Sequence, residues 1–335
     1  MPFSIISPAY YNELTDETNP LNEGVSYTVT VTPYSVEYSF PLMQERVVRK
    51  LMEIKEPISF NQQGIDEEKG KVYIEKAKDL VSKFPQLIHY WPGKSVMMNA
   101  IQDRQYSIEK RMLLINYVFK AVDNMNNNGK EKEIPPFIMD FMAHPDRSAI
   151  MEYFSSLNPN FEFSVLDALS MMAGMPDTKN FKEVRQTVFD RLGYKTDLSN
   201  VKDHPFSDVK DKYFDMKINF FSDYLGQGKD KDENREYLLE NVLVGFIWSL
   251  NMPFSDYSLS MWDNFAFFNV IFNTLKVLLT VYVTKENGDE DFVKAVTAFD
   301  ESIRAIKGGM VQTTVDMLNK RGFNTNGDMA ILSLS

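Results

Sequence analysis

Phe265-Ala266-Phe267-Phe268-Asn269-Val270-Ile271-Phe272-Asn273-Thr274-Leu275-Lys276-Val277-Leu278-Leu279-Thr280-Val281-Tyr282-Val283 decides the fold. It is the longest apolar region of the chain, and Asn269, Asn273, Thr274 and Lys276 interrupt it. A bilayer span needs about 20 residues that are nearly all apolar. This stretch therefore reads as a helix buried in a protein core, with its few polar groups partnered inside. Residues 236–250 have the same character. Two long, apolar, central helices imply a mostly α fold, a multi-helix assembly.

Outward from this pair the helical period recurs. Leu42, Val47, Val48, Leu51, Met52 and Ile54 make one apolar face, and Pro57 stops it. The spacing predicts helices over residues 66–85, 95–102 and 106–125, with 85–92 as a break. Ser107 is placed to cap the third of these, and Asn126-Asn127-Asn128-Gly129 to end it. Further helices are expected over 137–143, 147–157, 163–172, 181–192, 208–224, 289–306 and 310–320. Residues 324–328 read as a turn and 329–334 as a short apolar tail.

The N-terminus differs. Val25-Ser26-Tyr27-Thr28-Val29-Thr30-Val31-Thr32 alternates as a strand does. Residues 35–40 either pair back as a small N-terminal β hairpin or run on as an irregular extension. The expected organisation is an N-terminal extension over 1–41 and a helical domain over 42–335. Residues 126–136 are a loop, or the place of a boundary.

Composition bounds the function. Of 335 residues, 44% are hydrophobic and 25% charged, which is ordinary for a folded globular protein. The 25 Phe, 16 Tyr and 3 Trp need a large interior. The net charge of −11 repels a phosphate backbone, so nucleic acid is not an expected partner. With no cysteine there is no disulfide, thiolate metal site or cysteine nucleophile. Met1-Pro2-Phe3-Ser4-Ile5-Ile6 lacks the basic and apolar regions of a signal peptide. A cytoplasmic, reducing location without membrane insertion is expected.

Three polar residues stand out among apolar neighbours: Glu240, Asn241 and Lys276. They are the catalytic candidates, because buried polar groups mark either a site or a structural pair. Lys276 either pairs with an acidic residue such as Glu240, snorkels, or lines a site. Trp248, Phe254 and Trp262 lie where aromatic residues cluster. They are the substrate-binding candidates, as a pocket for a methylated ammonium or as plain core. His89, His144 and His204 have no metal-ligand spacing, so no metal site is expected. No Gly-rich turn follows a strand, and Gly308-Gly309 reads as a helix end.

Three segments carry a family resemblance. The first is Gln105-Tyr106-Ser107-Ile108-Glu109-Lys110-Arg111, followed by an apolar helix and Glu133-Ile134-Pro135. The second is Leu239-Glu240-Asn241-Val242-Leu243-Val244, running to Pro253-Phe254. The third runs from Leu275-Lys276-Val277-Leu278-Leu279 through Ala298-Phe299 to Asp328-Met329-Ala330-Ile331-Leu332. In order and approximate spacing the chain resembles the flagellin lysine-N-methylase (FliB-type) family, mainly in its C-terminal helical part. The resemblance implies methyl transfer from S-adenosylmethionine to lysine amines of a flagellin-like bacterial partner.

Two departures weigh against family-type catalysis. The family carries closely spaced cysteines near its N-terminus, thought to hold an iron–sulfur cluster. Here Ser7-Pro8-Ala9-Tyr10-Tyr11 resembles the opening, but no cysteine follows, so no such cluster with Cys ligands is expected. The family's Glu-His pair is replaced by Arg304-Ala305. The competing expectation is a non-catalytic helical adaptor or structural protein, such as a secretion component or virion part.

Overall fold

A computed structural model describes residues 4–8, 28–31, 36–39, 45–57, 60–64, 82–144, 146–228, 233–306 and 309–335. Helices dominate. In chain order they are α1 (Glu45–Glu53), α2 (Tyr90–Ile101), α3 (Ile108–Asn127), α4 (Ile134–Ala143), α5 (Ser148–Tyr153), α6 (Phe161–Gly174), α7 (Lys179–Leu192), α8 (Lys210–Ile218), α9 (Tyr237–Ser249), α10 (Met261–Tyr282), α11 (Gly288–Ala305), α12 (Met310–Lys320) and α13 (Asn326–Leu334). The expected helix over 66–85 falls mostly outside the described residues. Backbone segments Thr28–Val31 and Val36–Ser39 run antiparallel with Val31 opposite Val36, and Ser4–Pro8 pairs with Phe60–Gly64. The residues joining the first two segments lie outside the described ones.

Helix α10 is the axis of the molecule. Every residue in it except Asp263 is buried. It packs against α3, α6, α7, α8, α11, α12 and α13. By length and apolarity it passes for a membrane span, yet its apolar window is wholly enclosed by the other helices. Its polar residues explain how one helix keeps register with so many neighbours. Asn273 donates to the Ser164 carbonyl at 2.9 Å, and Asn269 donates to the Met329 carbonyl at 2.8 Å and accepts from Ser333 Oγ at 2.9 Å. Each amide ties α10 to α6 or α13 at one depth only, because a slip would strand a buried donor and acceptor.

Two helix starts depart from expectation. Helix α2 begins at Tyr90 and carries Pro92, within the break expected over 85–92. Pro92 lies in the first turn, where no backbone N–H is needed for the ladder, so it is tolerated. The C-terminal tail is a true helix. Thr325 Oγ1 accepts from Asp328 N at 3.2 Å, and the Asp328 carboxylate accepts from Thr325 N at 3.0 Å. This reciprocal cap turns the expected loop into the start of α13. At the end of α7, Gly193 has φ +74°, and a methyl there would lie 2.8 Å from His204 Nε2. Both conditions reserve the position for glycine.

Candidate functional site

Glu240 sits fully buried on α9, inside a four-residue ionic cluster. Arg104 Nη2 reaches Glu240 Oε1 at 2.8 Å, and Arg111 Nη1 reaches Glu240 Oε2 at 2.7 Å. Arg111 also bridges Glu236 at 3.0 Å and donates to the carbonyls of Ile101 and Tyr106 at 2.9 and 2.7 Å. Glu236 in turn accepts the backbone N–H of Ile108 at 3.0 Å. The first amide of α3 is therefore bonded by the carboxylate of the residue that precedes α9. Ser107 occupies the cap position, as expected, but its side chain makes no cap bond. Burial pushes the Glu236 carboxyl above the usual range, and the Arg111 guanidinium opposes that.

Asn241, the next residue, faces α1. Its side-chain amide donates to the carbonyls of Leu51 and Ile54, at 2.9 and 2.7 Å, and so closes the C-terminal end of that helix. Truncating Asn241 to alanine removes the amide from the Ile54 carbonyl and leaves the Leu51 carbonyl only the Ile54 backbone N–H at 3.3 Å. It should cost about 1–3 kcal/mol, read as a lower urea midpoint with unchanged slope. A loss below the scatter of the measurement would show that water replaces the amide.

Lys276 bonds elsewhere. Its Nζ donates to the Ser333 carbonyl at 2.9 Å, beside the Phe272 ring at 5.3 Å. The expected pairing with Glu240 is not made: both carboxylate oxygens of Glu240 are taken by Arg104 and Arg111. Arginine wins those positions because its planar fork fits carboxylates and backbone carbonyls together. Enclosure pushes the Lys276 amine down to about 7, Lys217 adds to that, and Glu109 opposes it.

The aromatic candidates fall into two groups, and each group holds a lysine of the chain itself. Lys94 Nζ lies 4.3 Å from the Trp248 ring and 4.6 Å from the Tyr90 ring. It also donates to the Tyr90 hydroxyl, which donates to Asn251 Oδ1. Phe254 stacks on Tyr90 at 6.4 Å. Trp262 belongs to the other group, where Lys120 Nζ sits 4.6 Å above its ring. Trp248, Phe254 and Trp262 are all buried. Their ability to hold an ammonium is thus already in use. Tyr90 and Lys94 share a helix face at i and i+4, a signal hidden in the sequence by the apparent break at 85–92.

One cleft of about 480 Å³ opens elsewhere, along α6. Glu162, Phe163, Leu166 and Asp167 line it from that helix, Asn160 from the cap before it, and Arg321 faces them. Residues 163, 166, 167 and 170 recur at helical spacing, so one face of α6 builds the wall. Asp167 is buried, and its Oδ1 accepts from Arg321 at 3.0 Å. Phe163 packs on Phe323 with ring centroids 3.9 Å apart. Nothing in the sequence reading singled out Asp167.

The histidines lie apart. His89 is buried, with its pKa lowered by that burial. His144 is exposed beside Asp140, and His204 lies 3.6 Å from Asp208. Among the described residues no group of three or more His, Cys, Asp or Glu is placed to hold a metal ion.

Comparison with known proteins bears on these residues directly. No curated protein and no solved structure matches the chain. A family model described as the FliB lysine N-methylase C-terminal domain matches residues 94–332. That span runs from Lys94 through the Arg111 cluster and the Asp167 cleft to the capped helix α13. The chain therefore belongs to the FliB lysine N-methylase C-terminal domain family.

Proposed function

We propose that the chain binds a flagellin-like or other bacterial protein in the cytoplasm and methylates its lysines with S-adenosylmethionine. The observation that carries this reading is the family match over residues 94–332. In such a reaction the neutral lysine nitrogen forms a bond to the methyl carbon as the carbon–sulfur bond breaks. The sulfur leaves with the electron pair, and the product ammonium sheds a proton to solvent or to a nearby base. S-adenosylmethionine would supply an activated methyl group. The protein's part is to desolvate and orient the amine.

Glu240 and Asn241 act as positioning residues in this reading, since their bonds fix α1, α3 and α9 around the unit. Lys276 acts in the same way between α10 and α13. Trp248, Phe254 and Trp262 show the chemistry suited to a lysine ammonium, but a substrate amine would have to displace Lys94 or Lys120. An N-terminal β hairpin over residues 25–40 would offer a strand edge to a partner.

A second reading has its own support. The chain has no cysteine, so a Cys-ligated iron–sulfur cluster does not fit it. A member of the family that keeps the helical unit without that ligand set suits a non-catalytic adaptor. Calorimetry of the purified chain with S-adenosylmethionine separates the two. The enzyme reading expects saturable binding of the donor. Absence of donor binding, with a protein partner that co-purifies stably, would favour the adaptor.

A further inference from the structure

We propose that the cleft along α6 is a binding site for an aliphatic ammonium group, with Asp167 as the receiving carboxylate. The proposal deepens the lysine-methylase reading and rests on it for the ligand's identity. It starts from an imbalance at Asp167. A carboxylate offers about four lone-pair positions, and buried ones are normally saturated. Asp167 Oδ1 accepts a single bond, from Arg321. Its Oδ2 is buried and, among the described residues, has no hydrogen-bond partner.

The surroundings suit a long amine better than an anion. Glu162 adds a second negative charge at the rim, where it is exposed. Phe163 and Leu166 supply an apolar wall of the kind that covers the methylene stem of a lysine. The cleft, of about 480 Å³, is open to solvent on one side, which suits the end of a flexible side chain reaching in from a partner. Arg321 already covers Asp167 as a cation would, yet its side chain is 40% exposed and is anchored beyond the end of α12. Asp167 itself is buried, so Arg321 can leave only as an incoming ammonium takes over its charge, an exchange of one cation for another that spares the carboxylate the cost of standing unpaired. Carboxylate rotation is also soft, so either oxygen can turn to meet the ligand. Burial lifts the Asp167 carboxyl to about 6, with Arg321 pulling the other way. A cation arriving beside the carboxylate would pull the same way as Arg321 and favour its charged form.

The ammonium could belong to a protein lysine or to the amino-acid end of S-adenosylmethionine. The test separates these sources. The intact chain is titrated, by NMR or calorimetry, with a blocked lysine (amide at both ends), with its Nε-acetylated form, and with S-adenosylmethionine. The same titrations follow on Asp167→Asn, an isosteric change, after its circular dichroism is checked against wild type. If the source is lysine, acetylation and Asp167→Asn should each weaken binding of the blocked lysine by roughly ten-fold or more. If it is the methyl donor, Asp167→Asn should weaken S-adenosylmethionine by a similar factor. The proposal is overturned if Asp167→Asn leaves binding of both the blocked lysine and S-adenosylmethionine unchanged, or if the blocked lysine and its acetylated form bind alike and donor binding is independent of Asp167. If the variant does not fold, the NMR titration of wild type decides: ligand-induced shifts that miss Phe163, Leu166 and Asp167 overturn the proposal. Methyl transfer by wild type is read separately: transfer with no effect of Asp167 removes the cleft proposal alone, and amine binding without transfer removes the enzyme reading alone.

Discussion

Replacing Arg111 with alanine should cost about 3–5 kcal/mol of stability, the usual result of breaking a buried ion pair from one side. Arg111 is 2% exposed and spends its guanidinium on Glu236, Glu240 and two backbone carbonyls. Without it, Glu236 and Glu240 face each other in the interior with only Arg104 left beside Glu240. The Glu236 carboxyl, already raised by burial, would then be driven further upward, because Arg111 no longer opposes that. A carboxyl raised above its unfolded value favours the folded state less as pH rises through that raised value. The variant should therefore lose more stability at neutral pH than at mildly acidic pH. Urea unfolding at several pH values reads both effects. Arg111→Lys should rescue little, because a single ammonium cannot reach four acceptors on three segments. A loss below about 1 kcal/mol for the alanine variant would mean that the cluster is peripheral rather than the joint between α3 and α9.

Replacing Lys276 with methionine should have the opposite sign and raise stability by about 2 kcal/mol at neutral pH. The amine is fully enclosed and held down to about 7, well below the ordinary lysine range. Such a group costs stability at every pH below its unfolded pKa, and the cost is complete only below the folded one. Wild-type stability should thus climb between about pH 7 and pH 10. Methionine removes both the penalty and that climb. It also strands the Ser333 carbonyl, which offsets part of the gain. Unfolding free energies across the alkaline range decide the matter. A methionine variant that is less stable than wild type at pH 7, or that keeps the same alkaline slope, would show that Lys276 has an anionic partner in the folded chain.

How much of this was legible beforehand depends on the residue. Helices α9 and α10 were plain, because long apolar runs with few charges leave little alternative to a buried helix. That Glu240, Asn241 and Lys276 are buried followed from the same runs. Their partners did not: Arg104, Arg111, Leu51 and Ser333 are far away in sequence, and residue spacing carries no information about which donor arrives. Helix α2 was missed at its start because proline reads as a breaker, although the first turn accepts it. The start of α13 was legible in principle, as Thr325 and Asp328 have the spacing of a reciprocal cap. Asp167 was invisible for a different reason. It sits in α6 among Leu166, Ala168 and Leu169, and one acidic residue in a helix is ordinary until its solvent exposure is known.

The most direct measurement is intact-mass spectrometry of a lysine-bearing flagellin after incubation with the full-length chain and S-adenosylmethionine. The enzyme reading predicts a mass gain in whole methyl units, mapped to lysines and absent without the donor. Flagellin of unchanged mass that stays bound to the chain through purification would contradict it, and would make the helical unit an adaptor.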